Sequence, residues 1–409
     1  MPVALCAVIV VVAACAGADT ESVGNKIPGG TLTIYSSVPL HGASSVSGQA
    51  VVNGERIALQ GAGRIGRYRI VLRVLDDSSP QAGEWDPGQA TLNARQATQD
   101  RTTIGYLGDL DSGASAISIP LLNRVGIAQI SPTSTAVGLT EDAPGAYPGE
   151  PQKYYPTGVR SFARVVPNDS VQAAAMLSLQ RSVGCAKTFV LEDGEVDGED
   201  TATTFELTAR SSRLRVVAVQ MFDPKASDYS SLAASVAQTG ANCVLISALT
   251  ENNAVLLTRQ LAAALPHALI FGFQGMAEST YADPAQGGIP IALDPRVLLT
   301  AASPDASADP AAARTLVSTY ARRYGQPQPD AIFGFEAMSL MLSAVRRATD
   351  DGRSQARRSN VVAAILTTRK RHSVLGTYSI DGNGDTTLSR FGVYRVVDGQ
   401  LTLWKVIEV

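Results

Sequence analysis

Residues 103–132 read TIGYLGDLDSGASAISIPLLNRVGIAQISP. The stretch opens on a short β-branched and aromatic run, Thr103–Leu107. It continues through a helix-period segment at 114–124 and ends in a second apolar run, Ile127–Ile130. Strand, helix, strand within thirty residues is the unit of a parallel sheet covered by helices. Between the first run and the helix stands Gly108-Asp109-Leu110-Asp111-Ser112-Gly113-Ala114-Ser115. After the second run stands Ser131-Pro132-Thr133-Ser134-Thr135. In open parallel sheets the ligand crevice lies beyond the strand C-termini. Both segments therefore offer small hydroxyls and free backbone N–H groups at one edge, a nest suited to an anion such as a carboxylate. Serine and threonine are also ordinary helix caps, so each segment alone decides little; two on neighbouring strands say more.

The alternation extends in both directions. Upstream, Thr31–Tyr35 and Arg69–Leu75 read as strands, with helices at 46–60 and 88–101. A Pro/Gly/Tyr-rich segment at 143–158 reads as a surface loop. The pattern then restarts. Strands at Thr188–Leu191, Leu214–Val219, Val244–Ser247 and Leu269–Gly272 alternate with helices at 169–183, 199–211, 229–239 and 251–264. The chain thus holds two α/β units in series. Three further helices are expected at 309–324, 331–349 and 358–367, and a β-rich tail at 376–407.

Composition narrows the function. The 409 residues are 45% hydrophobic and 17% charged, with a formal net charge of -3. This is a globular composition without the basic surface that nucleic acid requires. The densest basic patch, Arg357, Arg358 and Arg369–His372, reads as a solvated helix face. The three histidines, His41, His267 and His372, are far apart and show no metal-ligand or triad spacing. Gly61–Gly66 matches G-x-G-x-x-G, but a helix precedes it and a strand follows, the reverse of a dinucleotide loop. Asp381–Asp385 resembles the start of a calcium loop, yet Thr386 and Gly392 occupy the positions where that loop needs Gly and Glu; it reads as a hairpin turn. The carboxylates Glu192, Asp193 and Glu195 follow a strand without a histidine partner, which suits a ligand-binding or solvated loop. No catalytic role, cofactor or metal is expected. An oxidoreductase on a doubly wound sheet is the enzymatic alternative, and nothing in the motifs supports it.

The N-terminus carries the address. Residues 3–18 (VALCAVIVVVAACAGA) form an apolar run too short to span a membrane comfortably. It contains Val12-Ala13-Ala14-Cys15, which resembles the lipobox of bacterial lipoproteins; Cys15 would accept the lipid, and an ordinary cleaved signal with an incidental cysteine is the alternative. No Lys or Arg precedes the run, a departure from the usual signal. Export exposes Cys185 and Cys243 to oxidising conditions and makes them candidates for a disulfide. Cys185 precedes the first strand of the second unit and Cys243 the third. In a sheet of order 2-1-3 those strands are neighbours, within reach if register permits; two free core thiols are the alternative.

The order of segments resembles the type I periplasmic binding proteins, in particular the leucine/isoleucine/valine-binding receptors of branched-chain amino-acid ABC importers. The resemblance covers about residues 31–407. It is carried by Pro39–Gly42 with Asn53-Gly54, Asp76–Ser78, Gly126–Pro132, Arg164–Gln172, Asp228-Tyr229, Gly272–Gly275 and Phe391–Tyr394. It implies an α/β fold of two doubly wound parallel-sheet lobes joined by three crossovers. The expected division is a signal peptide and lipobox at 1–18, a tether at 19–30, lobe one at 31–167 and 298–375, and lobe two at 168–297 and 376–409. The implied function is capture of a small polar molecule, an amino acid or related carboxylate, between the lobes, with delivery to an ABC permease. A ligand-sensing role for the same clamp is the alternative. The implied ligand set is Ser112, Gly113, Ser134 and Thr135 on lobe one, with Asp169, Asp193 and Gln274 at the hinge and on lobe two. The departures concern the other end of the ligand. Gln274 stands where the family has an amino-group carboxylate, Val196 where a tyrosine is expected, and Ser47 near the aromatic that covers the side chain. The expected address is the outer face of the membrane, held by lipid alone. Expressed in a bacterium, the protein should partition into detergent, and Cys15→Ser should release it or stall its processing. Equal fractionation of both as soluble protein would overturn the anchor.

Overall fold

The computed structural model describes residues 24–42, 44–60, 62–80, 84–210, 212–302, 310–325 and 328–409. The signal peptide, Cys15 and the first part of the tether lie outside the described residues. In lobe one the order is β1 (Thr31–Val38), α1 (Ser45–Gln60), β2 (Arg64–Ile65), β3 (Tyr68–Asp76), α2 (Pro87–Gln99), β4 (Thr103–Gly108), α3 (Ser112–Asn123), β5 (Ala128–Ser131) and β6 (Phe162–Arg164). Lobe two begins with α4 (Asp169–Ser182), β7 (Lys187–Glu192), α5 (Val196–Arg210), β8 (Arg215–Met221), α6 (Ser230–Gln238) and β9 (Cys243–Ser247). It continues with α7 (Val255–Ala264), β10 (Leu269–Gly272), α8 (Ser279–Ala282) and β11 (Val297–Ala302). The chain then runs through α9 (Pro310–Tyr324), α10 (Asp330–Ala348), α11 (Arg358–Leu366) and the hairpin β12 (Arg371–Ser373) and β13 (Gly376–Tyr378). It ends in β14 (Arg390–Val397) and β15 (Gln400–Glu408).

Two sheets result. The first has the order β2-β3-β1-β4-β5-β6, and the second β15-β14-β11-β10-β9-β7-β8. Setting aside β2, β14 and β15, which pair antiparallel, both reduce to one doubly wound order: the second strand, then the first, third, fourth and fifth. The central strands are buried on both faces. β4 and β9 show no exposed residue, as parallel strands under two helical layers must. The edge strands β8 and β15 are largely exposed.

Local chemistry sets the helix starts. Asp86 accepts a hydrogen bond from the Gln89 amide at 2.9 Å, with Pro87 opening α2. Helices α1 and α10 cross through glycine. A Cβ on Gly54 would lie 2.0 Å from the Ala331 carbonyl oxygen, and one on Gly334 would lie 2.2 Å from that of Val51. The two backbones touch, and this contact fixes how α10 lies on lobe one.

The lobe boundaries differ from expectation. β11 belongs to the second sheet, so the crossover into lobe one falls after Ala302 and not at 298. Tyr378 and Ile380 pack in the same core as Ile34, Leu107 and Met338. The return to lobe two therefore falls just before β14, not at 376. Both shifts have one cause: a strand belongs to whichever sheet completes its hydrogen bonds. The segment 143–158 is also more than a surface loop. Glu150, Tyr154 and Tyr155 are buried, and both tyrosines pack with Ile119 and Phe162. Of the glycine-rich segment, Gly61 lies outside the described residues, Ala62 and Gly63 lead into β2, and Gly66 turns the chain from β2 to β3. In the turn at Asp381, Oδ1 takes the amides of Asn383, Gly384 and Asp385 at 2.8–2.9 Å, and Ile380 bridges Thr386 antiparallel.

Cys185 and Cys243 form a disulfide with Cα atoms 5.8 Å apart. It lies at the N-terminal edge of β7 and β9, paired with Thr188 opposite Cys243. Closing a loop over a sequence separation of 58 stabilises by about 4 kcal/mol on chain-entropy grounds. Alkylation of the denatured, unreduced protein should label neither thiol. Cys185→Ala with Cys243→Ala should lower the unfolding free energy by about 2–4 kcal/mol, measured by denaturant titration.

Candidate functional site

The two sheets turn their C-terminal edges toward each other, and the loops leaving those edges enclose a cavity. It is lined from lobe one by Ser44, Ser47, Asp111, Ser112 and Thr135, and from lobe two by Asp197, Gln274 and Glu278, with Asp330 and Phe333 of α10. The space open to water centres is about 70 Å³. Hydrogen bonds cross the cleft. Ser112 and Thr135 both donate to Asp197 Oδ1, at 3.2 and 2.7 Å. Ser44 donates to Glu251 at 2.6 Å and Ser47 to Glu278 at 3.1 Å. The two lobes are therefore closed on one another in this structure.

The strand-end loops are held by their own polar groups. Ser112 opens α3, and its Oγ accepts the amides of Thr135 and Ala136 at 3.1 and 3.2 Å. The two hydroxyl segments are thereby joined into one surface. Gly113 is required by packing, since a Cβ there would lie 2.6 Å from the Trp85 ring. Ser134 is fully buried, bonded to Ser115 Oγ at 2.8 Å and donating to the Asp109 carbonyl at 3.1 Å. It shapes the loop from behind. Thr135, one residue on, lines the cavity instead.

The other expected residues divide likewise. Gln274 lines the cavity, and its Oε1 accepts the Ala302 amide at 3.1 Å. Asp193 is buried and takes the Leu249 amide and the Asn252 side chain, each at 2.9 Å, so it organises the loop after β7. Asp169 is fully buried at the hinge, where its amide donates to the Thr135 carbonyl at 3.0 Å. Ser112, Thr135 and Gln274 thus meet in the cavity, Gly113 abuts it, and Ser134, Asp169 and Asp193 support it. The lining carboxylates of Asp111, Asp197, Glu278 and Asp330 were not among the expected residues. Each stands in a loop or at a helix start, and the spacing between them spans most of the chain. The acidic run 192–200 was the one sequence signal near them.

Burial drives these acids upward. Asp197 is raised by desolvation, against the bonds from Thr135 and Ser112. Asp111 and Glu278 rise well above the usual carboxylate range, through burial and then through neighbouring acids that include Glu251. At the mouth, burial and then cross-cleft repulsion push Glu84 up to about 7, with Glu195, Glu251 and Asp193 facing it and Lys225 partly offsetting them. Elsewhere, the one metal-like group among the described residues is Glu141, Asp381 and Asp385, whose ligand atoms lie within 4.8 Å of one another. Asp385 there is ion-paired with Arg164 at 2.6 Å.

With the geometry in place, relatives can be compared. A sequence profile described as periplasmic binding protein matches residues 31–400; the chain belongs to the periplasmic binding protein family. A leucine-binding protein of Thermotoga maritima superposes with a TM-score of 0.78 at 20% identity, covering 92% of this chain and 99% of its own. A branched-chain amino-acid transporter substrate-binding protein of Streptococcus pneumoniae, bound to isoleucine, gives 0.75 at 17% identity, covering 93% and 100%. A solute-binding protein of an ABC transporter from R. palustris, bound to benzoate, gives 0.72 at 17%, covering 92% and 96%. No curated sequence matches the chain. The fold class and the family resemblance read from the sequence both hold.

A pH dependence follows from the raised acids. Closure brings Glu84 of lobe one against Glu195, Glu251 and Asp193 of lobe two, so the closed form holds protons that the open form releases. Raising the pH from about 5 to 8 should therefore favour opening. Small-angle scattering of the ligand-free protein at low salt should show a larger radius of gyration at pH 8 than at pH 5. An unchanged radius would contradict this.

Proposed function

We propose that this chain is an extracytoplasmic solute-binding lipoprotein that captures a small polar molecule between its lobes and delivers it to an ABC importer. The observation that carries this is the cleft itself. Hydroxyls from two strand ends of lobe one cross to a carboxylate of lobe two and wall off a cavity at both sheets' switch points. A ligand stabilises such a closed form only by contacts it makes with both lobes. The ligands bound by structural relatives, leucine, isoleucine and benzoate, point to small organic molecules of this size class. Family membership supports export and a partner permease. No described helix is long and apolar enough to cross a membrane, and the proposed anchor is the lipid at Cys15.

The reading assigns no chemistry to the cavity. Its polar groups are hydroxyls, an amide and carboxylates without a histidine, which suits binding. Ser112 and Thr135 act on the solute directly or by fixing the Asp197 carboxylate against it, and Gln274 lines the lobe-two edge. Charge-assisted hydrogen bonds of this kind contribute about 1.5–3 kcal/mol each. Ser112→Ala with Thr135→Ala should therefore weaken the best solute found by thermal-shift screening roughly ten- to a hundred-fold, read by calorimetry. The wild type should also become more compact in small-angle scattering at saturating solute. Unchanged affinity would remove the cleft assignment, and no compaction would remove the clamp.

A further inference from the structure

The cavity is acidic on both sides. Asp111 and Asp330 contribute from the lobe-one side, and Asp197 and Glu278 from lobe two; Glu251 stands behind Ser44. Among the described lining residues there is no Lys, Arg or His. The nearest guanidinium acting on Asp197 is Arg164, whose donors go to Asp385, to the Ser134 and Ala136 carbonyls and to Thr140. Two further carboxylates are poorly satisfied. Glu251 accepts from Ser44, but its Oε2 is buried with no hydrogen bond; neither carboxylate oxygen of Asp169, fully buried beside Asp197, has one, and Arg164 offsets its burial only in part. Buried carboxylates without a counter-charge are costly and take up protons instead, which an entering cation would displace. The closed cleft is thus short of positive charge.

The hydroxyls make the same point geometrically. Ser112 and Thr135 present the surface expected to take a ligand's carboxylate, and Asp197 already occupies it with Oδ1. A second carboxylate from the ligand would enter among Asp111, Asp197 and Glu278. The carboxylates do not converge as a metal shell does: the only group among the described residues with that spacing lies elsewhere. Ala302, Pro329, Phe333 and Tyr394 also line a second, apolar pocket of about 250 Å³ that includes Leu316 and Tyr320. This side of the cavity thus offers no second charge but an apolar wall for a hydrocarbon body, with the aromatic rings of Phe333 and Tyr394 that favour a cation nearby.

We propose that the solute is a small organic amine without a carboxylate, its ammonium group held by Asp111, Asp197, Glu278 and Asp330 and its apolar body directed toward Phe333 and Tyr394. The proposal rests on the solute-binding reading above and narrows it.

Matched pairs test it, using the full mature chain in calorimetry and thermal shift at pH 7. The pairs are 3-methylbutylamine against leucine and 2-phenylethylamine against phenylalanine, with benzoate as a plain anion. Each amine should bind at least about ten-fold more tightly than its carboxylated partner, since one charge-assisted bond is worth that much. Asp197→Asn keeps the volume and an acceptor for Ser112 and Thr135. It should raise the melting temperature of the ligand-free protein while weakening amine binding about ten-fold or more, and Glu278→Gln should do the same. An amino acid or benzoate that binds as well as the amines overturns the cationic solute and leaves the solute-binding reading standing. Silence from both panels, or amine affinity unchanged in both variants, also overturns it, while compaction by any other solute would still uphold the clamp.

Discussion

One buried side chain ties together the segments that lead into the crossovers. Arg164 ends β6 and is fully buried. Its Nε pairs with Asp385 at 2.6 Å, one Nη donates to the Ser134 and Ala136 carbonyls at 3.1 and 2.8 Å, and the other to Thr140. A guanidinium removed from water is tolerated only when its donors are met. Here the partners come from the hydroxyl loop after β5, from the short helical turn beyond it, and from the hairpin that precedes β14. The strand leading to one crossover is thus tied to the segment leading to another. Thr135 can face the cleft because carbonyls on either side of it are fixed from behind.

The second level of organisation is the repetition of one strand order in both lobes. In each sheet the first strand lies between the second and the third, so each sheet has a switch point with loops diverging on its C-terminal side. Facing two such edges produces a cavity without any special motif. It also explains why the disulfide lies far from function. Cys185 and Cys243 join the same neighbouring strands at their opposite ends, where they stiffen lobe two without touching the loops that must adapt.

Much of this was legible in the sequence, for physical reasons. Buried parallel strands such as β4 and β9 are continuous apolar runs bounded by glycine or polar turns, and the chain shows them plainly. β6, at three residues, is too short for periodicity. β11 (VLLTAA) is a good apolar run, but nothing local tells which sheet will complete its hydrogen bonds. The hydroxyl surface was legible because Ser112 and Thr135 follow strand ends within one lobe. The carboxylate lining was not: Asp111, Asp197, Glu278 and Asp330 become neighbours only when lobes meet. Ser134 and Thr135 show the remaining limit, since composition cannot say which of two adjacent hydroxyls a turn will face inward.

The packing of Trp85 has an optical consequence. The chain has two tryptophans. Trp85 presses on Gly113, one residue past Ser112, at the wall of the cleft. Trp404 lies on the outer strand β15 under the cations of Arg395 and Lys405, with its ring 3.6 and 4.6 Å from them. One indole thus stands beside the cleft, against the loop that carries Ser112, and the other on the outer edge of the second sheet, away from it. The molecule carries its own reporter and its own internal reference, so occupancy of the cleft can be followed by intrinsic emission, without attaching a dye to a surface that must close.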